Sequence, residues 1–315
     1  MKKLAISAAA ALSLALAASC VWASPPRYVK AGEWGSEGSG NGQFKYPYGV
    51  ALAPDGDVYV TDSHNNRIQY FTADGLFLGK WGSPGTGDGQ FDEPVCLTVT
   101  PDGTVYVSEI GNHRVQYFTS SGSFLGKWGS LGSGDGQFNV PFGVRRGPNG
   151  YIYVVDSRNH RVQYFTSSGS FVGKWGSLGT GNGQFNTPDQ VAFGPGGVAY
   201  VTDYGNDRVQ YLTATGSFLG KWPTGASLSD PTGIDVGPDG NVFVGLLMYR
   251  RIYCYTSTGS YLNHLCRFAA PGVQVTADGN RVYAADYLGC RIVYYEYANP
   301  AVAPSSLGRV KALFR

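Results

Sequence analysis

Tryptophans stand at Trp34, Trp81, Trp128, Trp175 and Trp222, each 47 residues after the one before. A period of that length means one supersecondary unit copied along the chain. Such units stack into solenoids or propellers, because none of them buries its own apolar faces. The clearest copy runs from Phe138-Asn139-Val140-Pro141 to Gly173-Lys174-Trp175-Gly176. Within it, Phe142-Gly143-Val144 leads through the turn Pro148-Asn149-Gly150 to Tyr151-Ile152-Tyr153-Val154-Val155, an aromatic and β-branched run typical of a buried strand. The polar loop Asp156-Ser157-Arg158-Asn159-His160 precedes Arg161-Val162-Gln163-Tyr164-Phe165, whose alternation suits a half-buried strand. Thr166-Ser167-Ser168-Gly169 is turn chemistry, after which Ser170 to Trp175 returns as a fourth strand.

Four antiparallel strands, a to d, make one blade. The strand-c arginine recurs as Arg67, Arg114, Arg161, Arg208, Arg251 and Arg291, so six blades are expected. Blade six has strands a to c, ending near Tyr294-Tyr295-Glu296-Tyr297, and lacks a following strand d. The N-terminal Tyr28-Val29-Lys30-Ala31-Gly32-Glu33-Trp34 reads like Ser123-Phe124-Leu125-Gly126-Lys127-Trp128 and supplies it. The fold class is therefore all-β, a six-bladed β-propeller over residues 24–297, closed by the N-terminal strand so that no open edge remains.

Residues 1–23 have a Met1-Lys2-Lys3 start, an Ala/Leu-rich run and Val21-Trp22-Ala23 before Ser24, the pattern of an export signal. A second cut before Cys20, with lipid attachment there, competes with it. The expected location is outside the cytoplasm, either periplasmic, at the cell surface or secreted. Losing Lys2 and Lys3 turns 24 basic against 22 acidic residues into 22 against 22. The tail 298–315 holds Arg309, Lys311 and Arg315 and no acid, which leaves the propeller slightly acidic. Phosphate-backbone binding needs a basic face, so nucleic acid is not an expected partner. Past residue 23 no apolar run approaches a membrane span. In an oxidising compartment, Cys266 and Cys290 are the pair to consider for a disulfide, because the d-to-a connection and the b-to-c loop that carry them emerge on one face. Buried free thiols are the alternative.

The wording Pro141-Phe142-Gly143-Val144, Pro148-Asn149-Gly150, Tyr153-Val154-Val155-Asp156 and Asn159-His160-Arg161-Val162-Gln163 resembles the NHL-repeat family, and the other copies extend the resemblance over residues 28 to 297. The connector Gly129-Ser130-Leu131-Gly132-Ser133-Gly134-Asp135-Gly136-Gln137-Phe138 is similar to that of exported bacterial members. The resemblance implies the six-bladed propeller and leaves function open among RNA binding, protein binding, extracellular sensing and a few lyases.

Features that recur in nearly every blade are expected to serve the scaffold. The acids Asp62, Glu109, Asp156, Asp203 and Asp286, each five residues before an arginine, are expected to cap loops and pair with that guanidinium. The glycine-rich connectors lack the Gly-Lys-Ser/Thr of a phosphate loop and read as flexible links anchored by Phe44, Phe91, Phe138 and Phe185. His64, His113 and His160 fall in b-to-c loops and His264 in an outer strand, unlike the axial histidines that hold zinc in the resembling peptide-amidating lyase.

Positions where the copies disagree are more informative. Along strand a, Tyr48, Phe142, Arg145, Asp189, Gln190, Asp235 and Gln274 are expected to meet at one channel mouth. Blade five adds Leu247, Met248 and Tyr249, either as an apolar interaction surface beside that mouth or folded inward over the shorter fifth connector. The leading expectation is a monomeric, non-enzymatic binding propeller without a cofactor, taking a protein, peptide or glycan on its connector-rich face. The alternative is a propeller lyase or lactonase using a cation held by Asp189 and Asp235 at the channel mouth.

Overall fold

The computed structural model describes residues 28–225, 229–265 and 271–298. Residues 1–27, with the expected signal and Cys20, and Cys266 and residues 299–315 lie outside them. Six four-stranded antiparallel sheets form a propeller, and among the described residues no helix is long and apolar enough to cross a membrane. Blade three shows the plan: strands a to d are Pro141–Arg146, Ile152–Asp156, Arg161–Phe165 and Phe171–Trp175. Strand b is buried along its whole length in every complete copy, because both of its faces are covered by neighbouring blades. Strand d is half exposed and carries the polar alternation of an outer edge.

Closure occurs as the repeat pattern requires. The N-terminal strand Tyr28–Trp34 pairs antiparallel with Arg291–Tyr297, from Tyr28 opposite Tyr297 to Trp34 opposite Ile292, and becomes the outermost strand of blade six. The blades are joined by a repeated contact. The hydroxyls of Tyr59, Tyr106, Tyr153 and Tyr200 donate to the carbonyls of Ser120, Ser167, Ala214 and Ser257 in the c-to-d turn of the next blade. Tyr283 does the same to Ala73 across the seam between blades six and one. Blade five has Phe243 in this column, and the clasp residue Tyr28 packs edge-on against it while donating to Gly279 O.

The connectors are held down and are not the flexible links expected. In blade one, Arg67 bonds Asp62 at 2.7 Å and donates to the connector carbonyls of Ser39, Gly40 and Gln43, while Gln69 donates to Gln43 O. The same set recurs around Glu109–Arg114 and Asp203–Arg208, and in shorter form around Asp156–Arg161. Phe44, Phe91, Phe138 and Phe185 are fully buried between blades. Each contributes roughly 2–3 kcal/mol of apolar burial.

Candidate functional site

The axial channel is not one continuous pore. Glycines at the third position of strand a let adjacent inner strands come together: a β-carbon on Gly49 would lie 2.6 Å from Val95 O, and one on Gly272 2.3 Å from Tyr48 O. Where the column carries side chains instead, Cys96 and Gln190 fill the axis, and Gln190 donates to Pro271 O across it. Free space there shrinks to about 10 Å³, which is about the room one water needs.

This pinch separates the residues expected to meet. Arg145, Asp235 and Gln274 lie towards the face of the a-to-b turns, beside a cavity of about 790 Å³. There Arg145 forms an ion pair with Asp235 and donates to Gln274 Oε1 at 2.9 Å; Asp235 also accepts from Gln274 Nε2 and the Val275 amide. Burial pushes the Asp235 carboxyl up, against the pull of Arg145. Its oxygens are committed to linking blades three, five and six.

Tyr48, Phe142 and Asp189 lie on the opposite, connector face, around a cavity of about 500 Å³. Asp189 and Asp235 occupy the second and fifth positions of equivalent strands, so about 10 Å of strand rise separates their levels. No single cation-binding mouth contains both, which corrects the shared site expected from sequence. The Tyr48 hydroxyl, from blade one, donates to Asp189 Oδ2 of blade four at 3.2 Å. Asp189 is 5% exposed and its Oδ1 has no hydrogen-bond partner. Burial pushes this carboxyl up to about 7, and the Tyr48 hydrogen bond only partly opposes the shift. Burial, then the nearby carboxylate, holds the Tyr48 hydroxyl well above its ordinary value. Phe142 packs beside Tyr48 with ring centroids 5.8 Å apart.

Of the blade-five loop, Leu247 alone lines this cavity. Met248 is exposed, and Tyr249 turns outward toward Tyr253, with its ring beside Gly225 of the fifth connector. The loop thus divides between the two arrangements considered from sequence. Cys290 is a buried free thiol, and the proposed partner Cys266 lies outside the described residues.

The rim contains residues that the sequence reading missed. Tyr46, Glu93, Val140, Thr187 and Asp230 each precede the first proline of strand a, and each has a φ between 45 and 58°. Left-handed backbone is costly for any residue with a β-carbon, and most so for β-branched Val140 and Thr187. The amides of the last four are accepted by Asn66, His113, His160 and Asp207, the final loop residues of the preceding blades. Two of the histidines are therefore backbone clips. Among the described residues, no group of three or more His, Cys, Asp or Glu is placed to hold a metal. Glu93, Val140 and Thr187 line the cavity with Ile110, Arg158 and Tyr204. The available signal was one column of unlike residues immediately before a proline.

Comparison with known proteins agrees with this architecture. The NHL repeat model matches residues 44–71, 91–118 and 138–165. No curated protein matches the sequence. Among solved structures, a streptogramin B lyase is similar at 19% identity, covering 85% of this chain and 87% of that one, with a TM-score of 0.62. Virginiamycin B lyase from Staphylococcus aureus is 17% identical over 86% of this chain and 100% of that one, with a TM-score of 0.62. A gluconolactonase from Xanthomonas campestris is 14% identical over 88% and 96%, with a TM-score of 0.66. Likenesses at these identities establish a shared fold.

Proposed function

With NHL repeats built into a closed six-bladed propeller as the premise, we propose that this protein is an exported, monomeric, non-enzymatic binding propeller. Its connector face takes a segment of a protein, peptide or glycan. The observation that carries the reading is the 500 Å³ cavity at the centre of that face, lined by Tyr48, Phe142, Asp189 and Thr232. These residues occupy one strand-a column, and the scaffold they share does not call for four different side chains. A concave, partly aromatic pocket with a few polar groups is the usual form of a specific binding site. The export, and the alternative lipid tether at Cys20, rest on residues 1–23.

One observation favours a second reading, an enzyme of the lyase or lactonase kind. Asp189 is a buried carboxyl poised near neutral pH and bonded to a tyrosine hydroxyl, an arrangement that suits a general base. Peptide and glycan arrays probed with the intact protein and with Phe142→Ala separate the two. Saturable capture that weakens at least tenfold in the variant supports the binding reading. Turnover of virginiamycin B or a gluconolactone that is lost in Asp189→Asn would establish the enzyme instead.

A further inference from the structure

Resting on the binding reading, we infer that the connector-face pocket recognises an alkylammonium group, such as a lysine side chain or a peptide amino terminus, through the Asp189 carboxylate with Tyr48 and Phe142 against the alkyl stem. Three observations converge on this chemistry. Asp189 is almost fully buried, yet one of its oxygens has no donor from the protein. Its other oxygen accepts only the long 3.2 Å bond from Tyr48. A buried carboxylate left in this state is costly, and a ligand bringing both positive charge and N–H donors removes the deficit. The second observation is the wall: Tyr48 and Phe142 stand side by side, and Tyr287 meets Tyr48 edge-on with centroids 6.0 Å apart. Aromatic faces beside a carboxylate attract organic cations and shelter their methylenes.

The third observation is a contrast within the molecule. Asp235, the other buried inner-strand acid, is filled by Arg145, Gln274 and the Val275 amide. Asp189 has the same burial and no such cation. Of the charged rim groups, Glu93 and Arg158 are exposed and opposite in sign, and Asp230 is half-buried and accepts from the Tyr204 hydroxyl. The remaining titratable groups around the pocket are Tyr48, Tyr204, Cys96, His113, His160 and Tyr287, the last also raised by burial. Burial raises the first three, Cys96 to about 11, and each histidine has Nδ1 occupied by a backbone amide.

The test uses n-butylammonium, 1-butanol and butyrate as probes of the intact protein, with binding followed by NMR titration at pH 8 and pH 6. Saturable binding of butylammonium is expected at pH 8, at least tenfold tighter than that of butanol or butyrate. An ammonium prefers the ionised carboxyl, so affinity should fall about tenfold at pH 6. Asp189→Asn, which keeps the shape and the same histidines, should lose most of the affinity and this part of the pH dependence. Tyr48→Phe, with an unchanged fold by circular dichroism, should retain preference for the cation. Equal binding of butyrate or butanol, an unaffected Asp189→Asn variant, or no saturable butylammonium binding to the folded protein overturns the inference. Array ligands that need Phe142 but ignore Asp189 would leave the binding function standing while removing the ammonium assignment.

Discussion

The hydroxyl of Tyr48 reaches Asp189 Oδ2 at 3.2 Å, joining blade one to blade four across the axis. In a six-membered ring these blades face each other, so the contact both braces the fold and forms the floor of the connector-face cavity. The brace is incomplete, because Asp189 Oδ1 is buried without a partner. Local stability is lower there than full pairing would allow.

Asp189 should make stability depend on pH. Its folded carboxyl is raised to about 7 from an ordinary 3.8, so the folded state binds the extra proton. The stabilising effect of that proton is fully present below about pH 4 and is lost as pH rises through 7. Asp189→Asn should therefore gain stability over the parent by a few kcal/mol between pH 4 and pH 8. Chemical denaturation of both proteins across that range measures the difference, and parallel curves would reject the assignment.

The clasp should be indispensable. Deleting residues 28–34 uncovers the edge of Arg291–Tyr297 and removes the Tyr28 and Trp34 contacts with blades five, six and one. Soluble monomer should disappear from size-exclusion chromatography, since an unpaired edge strand templates association. An unchanged melting curve would refute the role of this strand.

Arg161→Ala should cost about 3–5 kcal/mol, because it leaves the fully buried Asp156 carboxylate without its cation. It also removes one of the two donors to each of the connector carbonyls of Gly134 and Gln137. Urea denaturation measures the loss. Affinity for a connector-face ligand should change less than threefold in the folded variant.

Gly122→Ala should destabilise by about 2 kcal/mol or more through two effects. Its φ is +90°, unfavourable for an L side chain, and a β-carbon would lie 2.5 Å from the Trp81 ring of the preceding blade. Thermal melting of this variant, with Gly56→Ala as a control that has positive φ but open space, separates strain from collision.

Much of the fold was legible because a repeat states each structural rule several times. The tryptophan period, the Asp–Arg spacing and the unmatched N-terminal strand were enough for blade number and closure. The site was only half legible. Asp189, Tyr48 and Phe142 stand out because they break their column, and the structure brings those three together. Asp235, Arg145 and Gln274 break a column too, but three residues along a strand become depth along the axis. The reading from sequence flattened that depth into one mouth. The plug by Cys96 and Gln190 depends on which glycines admit a neighbouring strand, a property of packing between blades. Leu247, Met248 and Tyr249 are consecutive, yet a tight loop sends them different ways, and only Leu247 reaches the cavity.

The left-handed residues before the strand-a prolines of blades one to five have a consequence for how this face can diversify. Tyr46, Glu93, Val140, Thr187 and Asp230 present an aromatic ring, an acid, two β-branched side chains and another acid from the same backbone geometry. For the last four the clipped amide, and not the side chain, fixes the position, so the sheets behind them tolerate this variety. Chemical identity at the rim is thus interchangeable, and a propeller of this design can acquire a new specificity by swapping single letters while its ring stays as it was.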